Sequence, residues 1–194
     1  MWPWGHLAFG YVWYSVWSRA TTRRPPTGLS TLAVALGTQF PDLVDKPLAW
    51  TFGLLPSGRS LAHSILTMAL VVAVLYVIAR KYRRTDLVTA FGIGYASHLV
   101  GDSLSAFLEG EYGELAFLLY PLMYTDYGVE YGFLYRVAQL DVGDFLGPQF
   151  LVILAVVVLW ILDGTPGPGA LKSLLKHAYY RLTGTRASES EHGS

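Results

Sequence analysis

An all-α protein, built as a polytopic integral membrane bundle of about five segments, is the fold this sequence predicts, and three observations predict it. Apolar residues make up 53% of the 194-residue chain and charged residues only 14%, with a mean hydropathy of +0.38, too apolar for an ordinary soluble domain. Two runs, Leu61 to Ala79 (LAHSILTMALVVAVLYVIA) and Phe145 to Leu162 (FLGPQFLVILAVVVLWIL), each approach the roughly 20 apolar residues a bilayer requires. Net charge is zero and the basic residues are scattered among the apolar runs, a pattern that excludes a nucleic-acid partner.

The elements follow in order. His6 to Trp17 (HLAFGYVWYSVW) and Leu29 to Phe40 (LSTLAVALGTQF) are short for spans, at about 12 residues each, and read as short, tilted or re-entrant segments. The N-terminus lacks the basic region and small-residue cleavage site of a signal peptide, and Trp2, Trp4, Trp13 and Trp17 suit an interfacial belt, so it is expected to be retained. Leu61 to Ala79 is the third span. Leu87 to Leu108 is the fourth, and its Gly and Ser content suits close packing inside a bundle. Leu115 to Met123 is apolar but short, a helix or loop packed against the bundle, and Phe145 to Leu162 is the fifth span. Leu171 to Leu182 (LKSLLKHAYYRL) is amphipathic at helical spacing, either an interfacial helix on an anionic leaflet or a solvated C-terminal helix. Residues 1–182 thus form one membrane-embedded domain, and 183–194 form a polar tail expected to be disordered.

Charge sets the orientation. Arg19, Arg23 and Arg24 follow the first span; Arg80, Lys81, Arg83 and Arg84 follow the third; Lys172, Lys176, Arg181 and Arg186 follow the fifth. All fall on one side of a five-span arrangement, which leaves Lys46, Arg59 and Arg136 on the other. The positive-inside rule then puts the N-terminus outside and the C-terminus in the cytoplasm of a multi-pass inner-membrane protein. The long connection before the fifth span is acidic, with Glu109, Glu111, Glu114, Asp126, Glu130, Asp141 and Asp144. Solvation outside the bilayer is reason enough for those charges.

This topology brings His6, the PDLVD stretch with Asp42 and Asp45, His63, His98 and Asp102 to one level near the outer leaflet. An ionisable group at membrane depth is costly and usually faces a partner, a cavity or a metal. His98 and Asp102 are four apart and project from one helical face, as two ligands for one cation would. Asp42 and Asp45 follow Pro41, which can open a helix and leave its carboxylates near the N-terminal dipole. The chain has no cysteine, so imidazole and carboxylate are the available donors for a divalent metal. Zinc is the first expectation, with manganese or iron as alternatives, in one or two ions. Arg59, four residues before His63, suits an anion clamp. Ser64 reads as a helix cap or a hydrogen-bond partner of a ligand before it reads as a nucleophile. His177 and His192 fall on the cytoplasmic side.

The ordered set GHLAFGY, LGTQFPDLVD, GRSLAHSIL and YASHLVGDSLS, followed by LLYPL, resembles the YdjM-like family of membrane-bound proteins inferred to be metal-dependent hydrolases akin to zinc-dependent phospholipases C. The resemblance covers about residues 5 to 122. It implies His6, Asp42, Asp45, His63, His98 and Asp102 as metal ligands. The chain departs from the pattern at Ser57 and Gly58, where a His often precedes the arginine, and at Leu61 and Ala62.

The expectation is a membrane-bound metal-dependent hydrolase, acting on an ester or phosphoester of a lipid or lipid-linked substrate at the outer leaflet. Asp42 or Asp45 would serve as general base and Arg59 as anion clamp. The rivals are a metal-ion or proton transporter and a non-catalytic membrane protein with a closed metal site.

Overall fold

The computed structural model describes residues 2–124 and 148–183, with residues 128, 135, 138 and 139 between them. Asp126, Glu130, Asp141 and Asp144 of the acidic connection, positions 145–147 of the last apolar run and the tail from 184 lie outside the described residues.

Among the described residues every regular element is helical, as an all-α protein requires. The helices are α1 (Pro3–Thr22), α2 (Gly28–Lys46), α3 (Ile65–Lys81), α4 (Thr85–Glu109), α5 (Pro148–Leu162) and α6 (Pro168–Thr183). A π-helical turn (Pro47–Thr51) prolongs α2, and the short apolar stretch after α4 becomes a 3-10 helix (Tyr112–Leu119). Local chemistry sets the boundaries. Pro3 opens α1, where its missing N–H has no helical partner to lose. Thr27 and Ser30 form a reciprocal capping box at the start of α2, and the Ser64 hydroxyl accepts from Leu66 N to cap α3.

The bundle is centred on α2 against α4. A Cβ placed on Gly37 would lie 2.1 Å from the Phe91 carbonyl oxygen, and one on Gly94 would lie 2.4 Å from the Val34 carbonyl oxygen. Only glycine lets the two backbones touch there, and this contact sets α4 at the distance from which His98 reaches Thr38. Around the crossing, Phe91, Tyr95 and Leu99 pack with Phe40 and Met68, while Tyr14, Val34 and Ala90 form a second apolar cluster. Helix α1 packs on both α2 and α4, α3 and the 3-10 helix pack on α4, α5 lies on α1, and α6 touches α2.

The span lengths depart from expectation. Among the described residues no helix is long and apolar enough to cross a membrane. The two most apolar helices, α3 and α5, run 17 and 15 residues. Helix α3 is shortened because Leu61 to Ser64, apolar by count, belong to a loop drawn onto a carboxylate of α2. Conversely, α1 and α2 extend to 20 and 19 residues, well beyond the short apolar runs that seeded them: Arg23 closes α1 by donating its N–H to the Arg19 carbonyl, and α2 is capped at Thr27 and continues through the buried Pro41 and Asp45. Helix α4, at 25 residues, is long enough but carries His, Asp, Ser and Gly along its packed face.

Candidate metal centre

Four elements bring their polar residues to one end of the bundle. His6 sits in the first turns of α1, Asp42 and Asp45 in the last turns of α2, Arg59 and His63 in the loop before α3, and His98 and Asp102 on α4. His6, Asp45, His63, His98 and Asp102 are buried. The PDLVD segment differs from its sequence expectation. Pro41 does not start a helix but lies buried inside α2, which continues to Lys46. The two carboxylates therefore sit at a helix C-terminus, where the dipole disfavours anions, and cationic and N–H partners answer that disadvantage.

Four atoms point at a common centre. His63 Nε2 and His98 Nε2 are 3.1 Å apart. Asp42 Oδ1 lies 3.5 Å from His63 Nε2 and 3.8 Å from His98 Nε2. Asp102 Oδ2 lies 3.5 Å and 3.7 Å from the same two nitrogens. A tetrahedral zinc site with metal–ligand bonds of about 2.0–2.1 Å has ligand–ligand edges of roughly 3.3–3.4 Å. These five edges fall around that length, so the residues fit a small divalent ion. In ligand-set terms, His6, His98 and Asp102 form one group able to hold a cation, and Asp42, His63 and His98 form another that shares His98.

The outward atoms of the same side chains are each held from behind. His98 Nδ1 donates to the Thr38 carbonyl at 2.7 Å, and His63 Nδ1 is bonded to Asp45 Oδ2 at 2.8 Å. Both rings therefore carry their proton on Nδ1 and turn an Nε2 lone pair toward the centre, the arrangement that prepares histidine for a metal. Asp42 Oδ2 is paired with Lys46, one helical turn on. Asp102 Oδ1 meets His6 Nε2 at 3.2 Å, and its Oδ2 meets Arg59 Nε at 3.3 Å. The His6 ring stacks on His98 with centroids 3.9 Å apart, and its buried Nδ1 has no hydrogen-bond partner among the described residues.

Asp45, which sequence spacing offers as a ligand or base, lies on the Nδ1 side of His63. Its carboxylate receives Ser60 N at 2.9 Å, Ala62 N at 2.8 Å, His63 N at 3.2 Å and the His63 ring. It gathers the loop before α3 and fixes the His63 ring. Ser64 caps α3 and gives its hydroxyl proton to the Leu118 carbonyl, the cap reading of the sequence rather than the nucleophile. The Arg59 side chain is 35% exposed and stands at the rim. Sequence reasoning passed over Lys46, although its four-residue spacing from Asp42 marks a helical ion pair. It also passed over Thr38, which acts through its backbone carbonyl and leaves no side-chain signal, and Tyr95, whose hydroxyl donates to the Ala62 carbonyl.

Fold and site together define an all-helical bundle with a buried histidine and carboxylate cluster able to hold a metal ion at one end. The model of the YdjM inner membrane protein family matches residues 1–165, and the chain belongs to that family. No curated protein and no solved structure matches it.

Proposed function

We propose that the chain is a membrane-bound, metal-dependent hydrolase acting on an ester or phosphoester of a lipid or lipid-linked molecule. The observation that carries this reading is the convergence of Asp42 Oδ1 and Asp102 Oδ2 on the facing His63 Nε2 and His98 Nε2, with a partly exposed guanidinium beside them. A divalent cation held there supplies Lewis acidity that polarises an acyl or phosphoryl oxygen and makes water nucleophilic at neutral pH. Arg59 binds the anionic part of the substrate at the rim and opposes the charge that develops during reaction. Asp42, proposed from the sequence as ligand or base, serves this scheme as a ligand through Oδ1, while Lys46 holds its second oxygen. Asp45 has its acceptor positions taken by four donors and orients His63 instead of moving a proton.

Membrane placement is part of the same proposal. Membership of an inner membrane family and the distribution of basic residues support a multi-pass bundle with its N-terminus outside and the histidine and carboxylate end toward the outer leaflet. Short helices such as α3 are accommodated by local thinning or by flanking polar residues. The apolar clusters around Tyr14 and Phe91 fill the bundle on the other side of His98, which counts against an ion path through it.

One observation favours a second reading, a closed structural metal site: four protein atoms converge on the centre, whereas a catalytic zinc keeps one position open. Two measurements decide. Protein purified in mild detergent is loaded with zinc or manganese and its metal content compared with His98→Ala and Asp102→Ala. The loaded protein is then offered a panel of phospholipids and lipid-linked phosphates. Release of product that the two variants lose supports the hydrolase. Stoichiometric metal with no product from the panel supports the closed site, and no metal uptake sinks both.

A further inference from the structure

The end of the bundle opposite the histidine and carboxylate cluster is basic. Arg19, Arg23 and Arg24 cluster where α1 turns into α2, and every one is exposed. Arg80, Lys81, Arg83 and Arg84 close α3 and lead into α4, again all exposed. The described acidic residues here are Asp86, paired with Arg84 at 3.4 Å, and Asp163, enclosed beside Arg19.

Helix α6 lies on this end. Among the described residues it touches α2 alone, with Ala170 against Gly28, and it buries none of its own residues. At 3.6 residues per turn, Leu171, Leu174, Leu175, Ala178, Tyr179 and Leu182 share one arc of roughly 140°. Its large members, Leu171, Leu174, Leu175, Tyr179 and Leu182, are between 46% and 88% exposed. On the same wheel Lys172 and Lys176 border one edge of this arc, Arg181 borders the other, and α6 carries no acidic residue. Ser173 and Tyr180 fall on the opposite side.

We infer that α6 and the basic end on which it rests form a docking surface for an anionic lipid leaflet. The helix lies in the plane of the headgroups with its leucines in the acyl boundary. The charge pattern selects this occupant. Cations at both edges of an apolar arc can extend their stems over the apolar surface and set their charges among phosphates. The arginines of the two neighbouring turns add positive charge to the same face, where an anionic leaflet attracts them. This surface lies at the end of the fold remote from the metal centre and does not depend on it.

The chain has no cysteine, so single cysteines report one position each. Full-length protein carrying Leu175→Cys or Ser173→Cys, labelled with an environment-sensitive fluorophore, is reconstituted into vesicles of phosphatidylcholine alone or mixed with phosphatidylglycerol. Lipids bearing a quencher high on the acyl chain are included. In anionic vesicles the label at 175 is expected to be quenched at least threefold more than the label at 173. The difference should shrink in neutral vesicles and after Lys172→Glu with Lys176→Glu. Equal quenching at the two positions, or quenching at 175 indifferent to lipid charge, overturns the proposal. So does a label at 175 shielded from lipid while Leu175→Cys forms a disulfide between copies, which makes the arc a contact between protein chains.

Discussion

His63 Nε2 and His98 Nε2 face each other at 3.1 Å, while Nδ1 of each ring is bonded elsewhere, to Asp45 and to the Thr38 carbonyl. Both rings thus turn lone pairs to one point with two carboxylate oxygens beside them. Such an arrangement calls for positive charge at its centre, which a proton on one Nε2 or a metal ion can supply. Zinc is therefore expected to stabilise the folded chain by mass action, by about 2.7 kcal/mol at a hundredfold excess over its dissociation constant. The check is a thermal unfolding scan with and without zinc, in wild type and in His63→Ala and His98→Ala. The wild-type midpoint should rise and the variants should not respond. A wild type as indifferent to zinc as its variants would remove the metal from this account.

Asp45 supplies the second prediction. Four donors converge on its two oxygens, and asparagine can accept only on one side. Asp45→Asn is expected to destabilise the fold by about 1–3 kcal/mol, the range for leaving buried donors unsatisfied. It should also weaken metal binding by roughly 10–100-fold, as removal of a histidine's supporting partner does. Ser64→Ala removes a cap on the same loop and should lose about 0.5–2 kcal/mol with metal affinity unchanged. Competition against a chromophoric chelator measures both. Equal affinities for wild type and Asp45→Asn would reduce Asp45 to a loop anchor.

Much of the site was legible because it depends on order and spacing. The four-residue separation of His98 and Asp102 put both on one face of α4, and alternating segments brought His6, Asp42, Asp45, Arg59 and His63 to the same end. What spacing does not carry is which atom of a side chain faces which neighbour. Asp42 and Asp45 share a helical face by their separation, yet only the loop that folds back from Ser60 to His63 makes Asp42 a candidate ligand and Asp45 the support of His63. The same long-range contact took Leu61 to Ser64 out of α3, where an apolar count had placed them. Pro41 read as a helix start because a proline removes a backbone bond, a loss of about 3 kcal/mol in an isolated helix. Buried where α2 meets its neighbours, it sits inside a helix that tertiary packing carries through.

The crossing of α2 and α4 yields a third prediction. Alanine at Gly94 would place its methyl 2.4 Å from the Val34 carbonyl oxygen, a backbone atom that cannot swing aside. The helices must part, and overpacking of this kind destabilises by about 1–3 kcal/mol. Because His98 lies one turn beyond Gly94 and bonds the Thr38 backbone, metal affinity should fall as well. Gly92→Ala is the control: its added methyl meets nothing closer than Val72 side-chain atoms at 3.6 Å, and helix propensity favours alanine there by about 0.5–1 kcal/mol. Unfolding midpoints and chelator competition on the two variants should diverge; similar behaviour would mean the backbone contact does not set the helix spacing.

Asp163 carries the pH dependence. It follows α5 and takes hydrogen bonds from the Tyr11 hydroxyl at 2.6 Å, the Ser15 hydroxyl at 3.0 Å and the Arg19 guanidinium. Burial pushes its pKa up, but the hydrogen bonds from Tyr11, Arg19 and Ser15, with the charge of Arg19, outweigh burial and leave the carboxyl below its usual value. The unfolded chain, with an ordinary value near about 3.9, therefore takes up the proton first as pH falls. The stability contributed by Asp163 is fully present above that unfolded value and is lost as pH drops through the lower, folded one. Asp163→Asn should destabilise the bundle by about 1–3 kcal/mol at pH 7. The gap between wild type and variant should stay constant down to about pH 5 and narrow below about pH 4. Unfolding midpoints of the two proteins across that range test it, and the difference between them cancels the other carboxylates. A gap of the same size at pH 3 and pH 7 would mean that Asp163 joins α1 to α5 by shape and neutral hydrogen bonding, without its charge.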